Sequence, residues 1–199
     1  MHDFNSPGMK RLFAAIKITP DIKFLEQIHA LEEGLQHERI KWVENQNIHI
    51  TLKFFGETDE KIIPGIVAAL KNVSGSSSAF TFFLKNLGIF GSSYDPRVVW
   101  VGIEPYQELV NLMKKIQQEL IPLGFGPDRQ NLVPHLTLGR IKGLKDKQLF
   151  QRTIDRYSAI SSSDLPAESF ILYESILKKD GPTYTTLETF KLTKADNSE

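Results

Sequence analysis

Two copies of one tetrapeptide constrain this chain more than any other feature: HITL at residues 49–52 and HLTL at residues 135–138. Each lies in an apolar run of strand length, IHITLKFFG (48–56) and PHLTLGRI (134–141). Successive side chains of a strand point to opposite faces, so His49 and Thr51 share one face and Ile50 and Leu52 the other. The second copy repeats this, with His135 and Thr137 against Leu136 and Leu138. A strand that buries aliphatic side chains behind and shows His and Thr in front suits the floor of a cleft.

The repetition reaches further than the tetrapeptide. Arg11 opens the strand-like run RLFAAIKI (11–18) and Arg97 opens RVVWVGI (97–103); in both cases the motif histidine follows 38 residues later. Hydrophobic periodicity predicts further strands at 80–87, 169–177 and 184–192, the last two as a closing hairpin. Helices are predicted from Pro20 and Asp21 to about 37, from a Thr58-Asp59-Glu60 cap to about 73, and over 105–123 and 145–157. Loops fall at 75–78 and at the Gly/Ser/Pro-rich 88–96. The same element order occurs twice, so the chain reads as one domain over 1–193 built of two related halves, about 9–90 and 91–193, with a polar tail at 194–199. Paired around a pseudo-twofold axis, the two His–Thr faces can meet.

Composition narrows the chemistry. The 199 residues are 41% apolar, enough for a packed interior, and carry 24 basic and 24 acidic side chains. A zero net charge argues against coating long nucleic acid by phosphate neutralisation, and confines any RNA contact to an end or a single nucleotide. With no cysteine, thiolate metal sites, disulfides and cysteine nucleophiles are excluded. Residues 1–8 are polar and do not form a signal peptide, and no window approaches the roughly 18 apolar residues of a membrane span. A cytoplasmic monomer without membrane contact is expected.

Two facing imidazoles suit phosphodiester cleavage. A neutral histidine takes a proton from water while a protonated one gives a proton to the leaving alkoxide, and histidine can hold either state near neutral pH. The hydroxyls of Thr51 and Thr137 can donate to non-bridging phosphoryl oxygens. No metal is required if two imidazoles and two hydroxyls surround the phosphate. No H-E-x-x-H or P-loop signature is present, so neither a metal nor a nucleotide cofactor is expected.

With these motifs the chain resembles the 2H phosphoesterase superfamily, named for its two H-x-T/S-x motifs. It is most similar to the branch called RNA 2′,3′-cyclic phosphodiesterase or 2′-5′ RNA ligase. RLFAAI, HITLKFFGE, PRVVWVGI and HLTLGR carry the resemblance, which spans nearly the whole chain. It implies an α+β fold of two pseudo-symmetric lobes, each a mostly antiparallel sheet with outer helices, around a central cleft. It implies His49 as proton donor, His135 as proton acceptor, phosphate binding by Thr51 and Thr137, and a product bearing a 2′-phosphate. The substrate it implies is an RNA end carrying a 2′,3′-cyclic phosphate, with reversible 2′-5′ ligation as a further activity. Two other readings stay open: an RNA-end or nucleotide-binding module of the same fold, and a phosphoesterase acting on a small cyclic nucleotide. A binding module is expected to have lost a motif His or Thr, and all four are present.

Secondary candidates are less constrained. The resemblance makes Arg140 a substrate contact, yet strict alternation places it opposite His135; a bulge at Gly139 can re-aim it. By parity Lys53 and Phe55 share the face of His49, where Lys53 can reach a phosphate and Phe55 can stack a base, or both can be ordinary wall residues. Arg97 reads as a strand start, Trp42 and Trp100 as packing residues, and Tyr94 as a loop residue. His2, His29 and His37 read as surface residues.

Overall fold

The computed structural model describes residues 8–92, 94–126, 133–178 and 181–194. His2 and residues 195–199 of the expected tail lie outside the described residues. In chain order the elements are β1 (Met9–Lys17), α1 (Ile22–Gly34), β2 (Arg39–Trp42), β3 (His49–Asp59), α2 (Ile63–Gly75), β4 (Phe80–Gly91), β5 (Pro96–Glu104), α3 (Gln107–Leu120), β6 (His135–Gly143), α4 (Lys147–Arg156), β7 (Leu165–Ala167), β8 (Ser169–Leu177) and β9 (Pro182–Lys191). Local chemistry explains the helix starts. The Asp21 carboxylate accepts from Phe24 N at 2.8 Å, and Asp146 caps α4 through Gln148 N and Leu149 N. Each helix buries one stripe, as α1 does with Phe24, Ile28 and Leu31.

The architecture is α+β with two antiparallel sheets. Sheet one has the order β3-β1-β8-β9 and sheet two β2-β6-β5-β4-β7. The sheets therefore do not coincide with the spans 9–90 and 91–193: β2 and β4 join sheet two, while β8 and β9 return to sheet one. The return satisfies β1, whose Leu12 to Ile16 are all buried; such a strand needs neighbours on both edges and cover on both faces. The motif strands occupy matching places, with β3 paired to β1 and β6 to β5.

Two short strands, β2 and β7, were not expected, since runs of four and three residues give too little periodicity to detect. Strand β4 also runs on to Gly91 through the expected loop, because Gly88, Ile89 and Phe90 pair with β5. A single large core joins the aliphatic backs of the motif strands, Ile50, Leu52, Leu136 and Leu138, to the helices. Among the described residues no helix is long and apolar enough to cross a membrane.

Candidate active site

His49, Thr51, His135 and Thr137 line one open cleft of about 300 Å³, together with Arg11, Phe13, Phe54, Arg140 and Tyr184. Strands β3 and β6 contact each other, which brings the fronts of the two motifs to a common cavity. The histidines are held alike. His49 Nδ1 lies 2.6 Å from the Asn47 carbonyl, and His135 Nδ1 lies 2.9 Å from the Val133 carbonyl. A carbonyl only accepts, so each Nδ1 carries a proton and Nε2 is the nitrogen left for chemistry. In the neutral ring that nitrogen is a base; in the imidazolium it is an acid.

Aromatic side chains brace both rings. Phe13 and Tyr184 flank His49 at centroid distances of 5.1 and 5.4 Å, and Tyr173 stacks behind Phe13 at 5.2 Å. Phe90 meets His135 edge-on at 4.7 Å and stacks on Trp100 at 4.9 Å. The indole of Trp100 lies so close over Gly88 that a Cβ there would fall 2.3 Å from it. Burial makes the charged form of His49 costly and holds its pKa below 6.5; the Arg140 charge acts in the same direction, while the Asn47 carbonyl opposes both.

A bulge sits at the last residue of each tetrapeptide and sets the facing of the residues beyond it. On β3 the partners pass from Ala15↔Thr51 to Ala14↔Lys53, leaving Leu52 as the extra residue. On β6 they pass from Trp100↔Thr137 to Val99↔Gly139, leaving Leu138. Alternation is therefore reversed beyond each motif, on β3 until a second shift, from Phe13↔Phe54 to Leu12↔Gly56, leaves Phe55 as another extra residue. Lys53 does not share the face of His49: it is 4% exposed and its Nζ donates to the Gly126 carbonyl at 3.2 Å. Phe55 likewise turns inward, packing on the core and edge-on against Phe125 at 5.1 Å. Phe54 takes the cleft position instead, 47% exposed, with the Arg11 guanidinium 4.8 Å from its ring centroid. The same reversal on β6 turns Arg140 into the cleft. Gly139 permits the bulge because a Cβ there would lie 2.7 Å from the Trp42 ring.

Phe13, Phe54, Phe90, Tyr173 and Tyr184 were missed as site residues. For Phe13 a signal existed: Arg11, Phe13 and Ala15 alternate on β1, and pairing of Ala15 with Thr51 puts them on the cleft side. Arg97 is held by Asp95, its Nη2 2.8 Å from the carboxylate, and Trp42 packs on the core. Tyr94 is 85% exposed at the β4–β5 turn. His29 and His37 are exposed. Among the described residues no group of three or more His, Asp or Glu side chains is arranged to hold a metal.

A family described as LigT like phosphoesterase matches this chain twice, over residues 18–100 and 101–184. The chain is 36% identical over 178 residues to the RNA 2′,3′-cyclic phosphodiesterase of Methanocaldococcus jannaschii, covering 89% of this chain and 98% of that protein. Among solved structures, a protein of Thermus thermophilus superposes with a TM-score of 0.76 at 25% identity, covering 92% of this chain and 98% of that one. LigT of E. coli, solved in complex with phosphate, superposes with a TM-score of 0.67 at 25% identity, over 94% of this chain and 99% of that one.

Proposed function

Since the chain belongs to the LigT like phosphoesterase family, we propose that it hydrolyses 2′,3′-cyclic phosphodiester ends of RNA to 2′-phosphomonoesters through His49 and His135. The observation that carries this reading is the matched pair of imidazoles on one cleft, each with Nδ1 tied to a backbone carbonyl and Nε2 left for the substrate.

In the proposed reaction neutral His135 accepts a proton at Nε2 from a water molecule as its oxygen bonds to phosphorus. The bond from phosphorus to the 3′-oxygen breaks, and the His49 imidazolium donates its Nε2 proton to that oxygen. The product carries a 2′-phosphate and a free 3′-hydroxyl. Thr51, Thr137 and Arg140 hold the non-bridging oxygens, where negative charge must be stabilised. Burial supports the donor role of His49, because an imidazolium of lowered pKa is a stronger acid, and the anionic substrate favours its charged form on binding. With an RNA 5′-hydroxyl in place of water, the same two proton transfers make a 2′-5′ bond. These groups supply the proton transfers and charge stabilisation without a metal. The tandem family match supports reading residues 1–193 as one bilobal unit of two related halves.

The test is a turnover panel in EDTA with a 2′,3′-cyclic mononucleotide, RNA ending in a 2′,3′-cyclic phosphate, and a 2′-5′ dinucleotide. Cleavage of cyclic ends to 2′-phosphates is expected. A 3′-phosphate product, or strict dependence on added Mg²⁺ or Zn²⁺, would overturn the mechanism.

A further inference from the structure

The 24 basic and 24 acidic residues balance over the chain but not around the cleft. On the sheet-one wall the cleft cation is matched: Arg11 lies 3.9 Å from Glu57. On the lip made by β2 and β6 the cations are not. Lys41 pairs directly with Arg140, and directly paired residues share a face. Arg39, two residues along β2, returns to that face; Lys142 comes after Arg140 where the β2–β6 register slips. Ile40 and Ile141 turn the other way and pack on the core. Arg39, Lys41, Arg140 and Lys142 are all exposed, and none forms an ion pair among the described residues. The carboxylate of Glu44 is near one end of the row, where it and the Lys41 ammonium both border Gly181.

Like charges directly opposite each other weaken a sheet, so this row costs stability unless an anion occupies it. It is continuous with the cleft through Arg140, which lines the cavity beside the motif residues. Residues two apart on a strand are separated by about 6.6 Å, a step that suits successive phosphates of an extended strand. We propose that Arg39, Lys41 and Lys142 bind the phosphates upstream of the reacting cyclic phosphate. The site thereby selects an RNA strand of several nucleotides over a cyclic mononucleotide. This rests on the phosphodiesterase reading and adds to it the length of the substrate. The row is short and lies on one lip, which agrees with a neutral chain that grips an RNA end and does not coat a duplex.

The test compares kcat/KM for 2′,3′-cyclic AMP with that for oligonucleotides of two to six residues ending in the same group, at several salt concentrations. The wild type is set beside an Arg39→Gln, Lys41→Gln, Lys142→Gln triple variant. The wild type is expected to favour the longer oligonucleotides by roughly tenfold or more. Its log–log salt dependence for them should be steeper by about two, the value for three phosphate contacts on a single strand. The triple variant should lose both the length preference and the extra slope while turning over the cyclic mononucleotide at the wild-type rate. Equal kcat/KM across lengths in the wild type, or an undiminished preference in the triple variant, overturns the proposal. A separate binding titration with an oligonucleotide ending in a 2′-phosphate distinguishes the two readings. If no cyclic phosphate is hydrolysed, the function assignment falls, and the strand-binding lip stands or falls on whether the triple variant binds that oligonucleotide about tenfold more weakly.

Discussion

His49 and His135 share their backbone tether, and burial together with the Arg140 charge lowers the pKa of His49, which gives a handle on its role. Replacing Arg140 with Gln removes a charge that disfavours the His49 imidazolium, so the pKa of His49 should rise. If His49 is the acid, the falling limb of the kcat/KM–pH profile moves to higher pH. Movement of the rising limb would instead make His49 the base and reverse the proposed assignment. The limbs are macroscopic values of the pair where the two titrations couple. The threonines are tested by Thr51→Val and Thr137→Val, which keep the branched shape and remove the donor. Loss of a hydrogen bond to a charged oxygen is expected to cost about 1.5–3 kcal/mol in the transition state, roughly ten- to a hundredfold in kcat/KM. Melting temperatures should hardly change, because both side chains face the cleft. Wild-type rates in both variants would end the phosphate-clamp role.

At the scale of the strand, the bulges at Leu52 and Leu138 set which side chains beyond the motifs face the cleft. They swap an inward and an outward position, so that neighbouring phenylalanines have opposite fates. Phe55→Ala should destabilise the fold by about 2 kcal/mol or more, since it removes a ring packed on the core and on Phe125. Phe54→Ala should leave the melting temperature nearly unchanged and show its effect in kcat/KM. Paired thermal melts decide this, and equal losses of stability would contradict the bulged register. Gly139 is the matching position on β6. Gly139→Ala forces a methyl against the Trp42 ring and Ile40, both within 3 Å of the new carbon. The expected cost is about 1–3 kcal/mol, with reduced activity as Arg140 is displaced. An alanine variant as stable and active as the wild type would refute that packing argument.

For the molecule as a whole, the cleft exacts a stability cost at acid pH. The folded state holds the pKa of His49 below its ordinary 6.5, so the unfolded chain binds more protons as pH falls. The stability associated with neutral His49 is therefore present above about pH 6.5 and is lost as pH falls through the lowered folded pKa. Thermal melts from pH 8 to 5 should show a steeper decline for the wild type than for His49→Gln, which cannot titrate. Parallel curves would mean that burial does not perturb this histidine. The cost comes from the burial of His49 between Phe13 and Tyr184.

Much of this was readable along the chain, and the physical reason is locality. Strand period, helix caps and the spacing of two H-x-T motifs are short-range properties, so the main strands, the four helices and the shared face of each His–Thr pair can be read from the order of residues. The α+β class comes from the same alternation of elements. Three things depended on partners distant in sequence. Bulges arise between strands and not within one, so parity alone does not tell Phe54 from Phe55 and puts Lys53 on the face of His49, where the structure buries it. Short strands such as β2 exist only because β6 offers them an edge. The exchange of β4 with β8 and β9 between the sheets reflects the need of a doubly buried β1 for two neighbours. Tertiary packing alone thus decided which aromatic and basic side chains surround the two histidines.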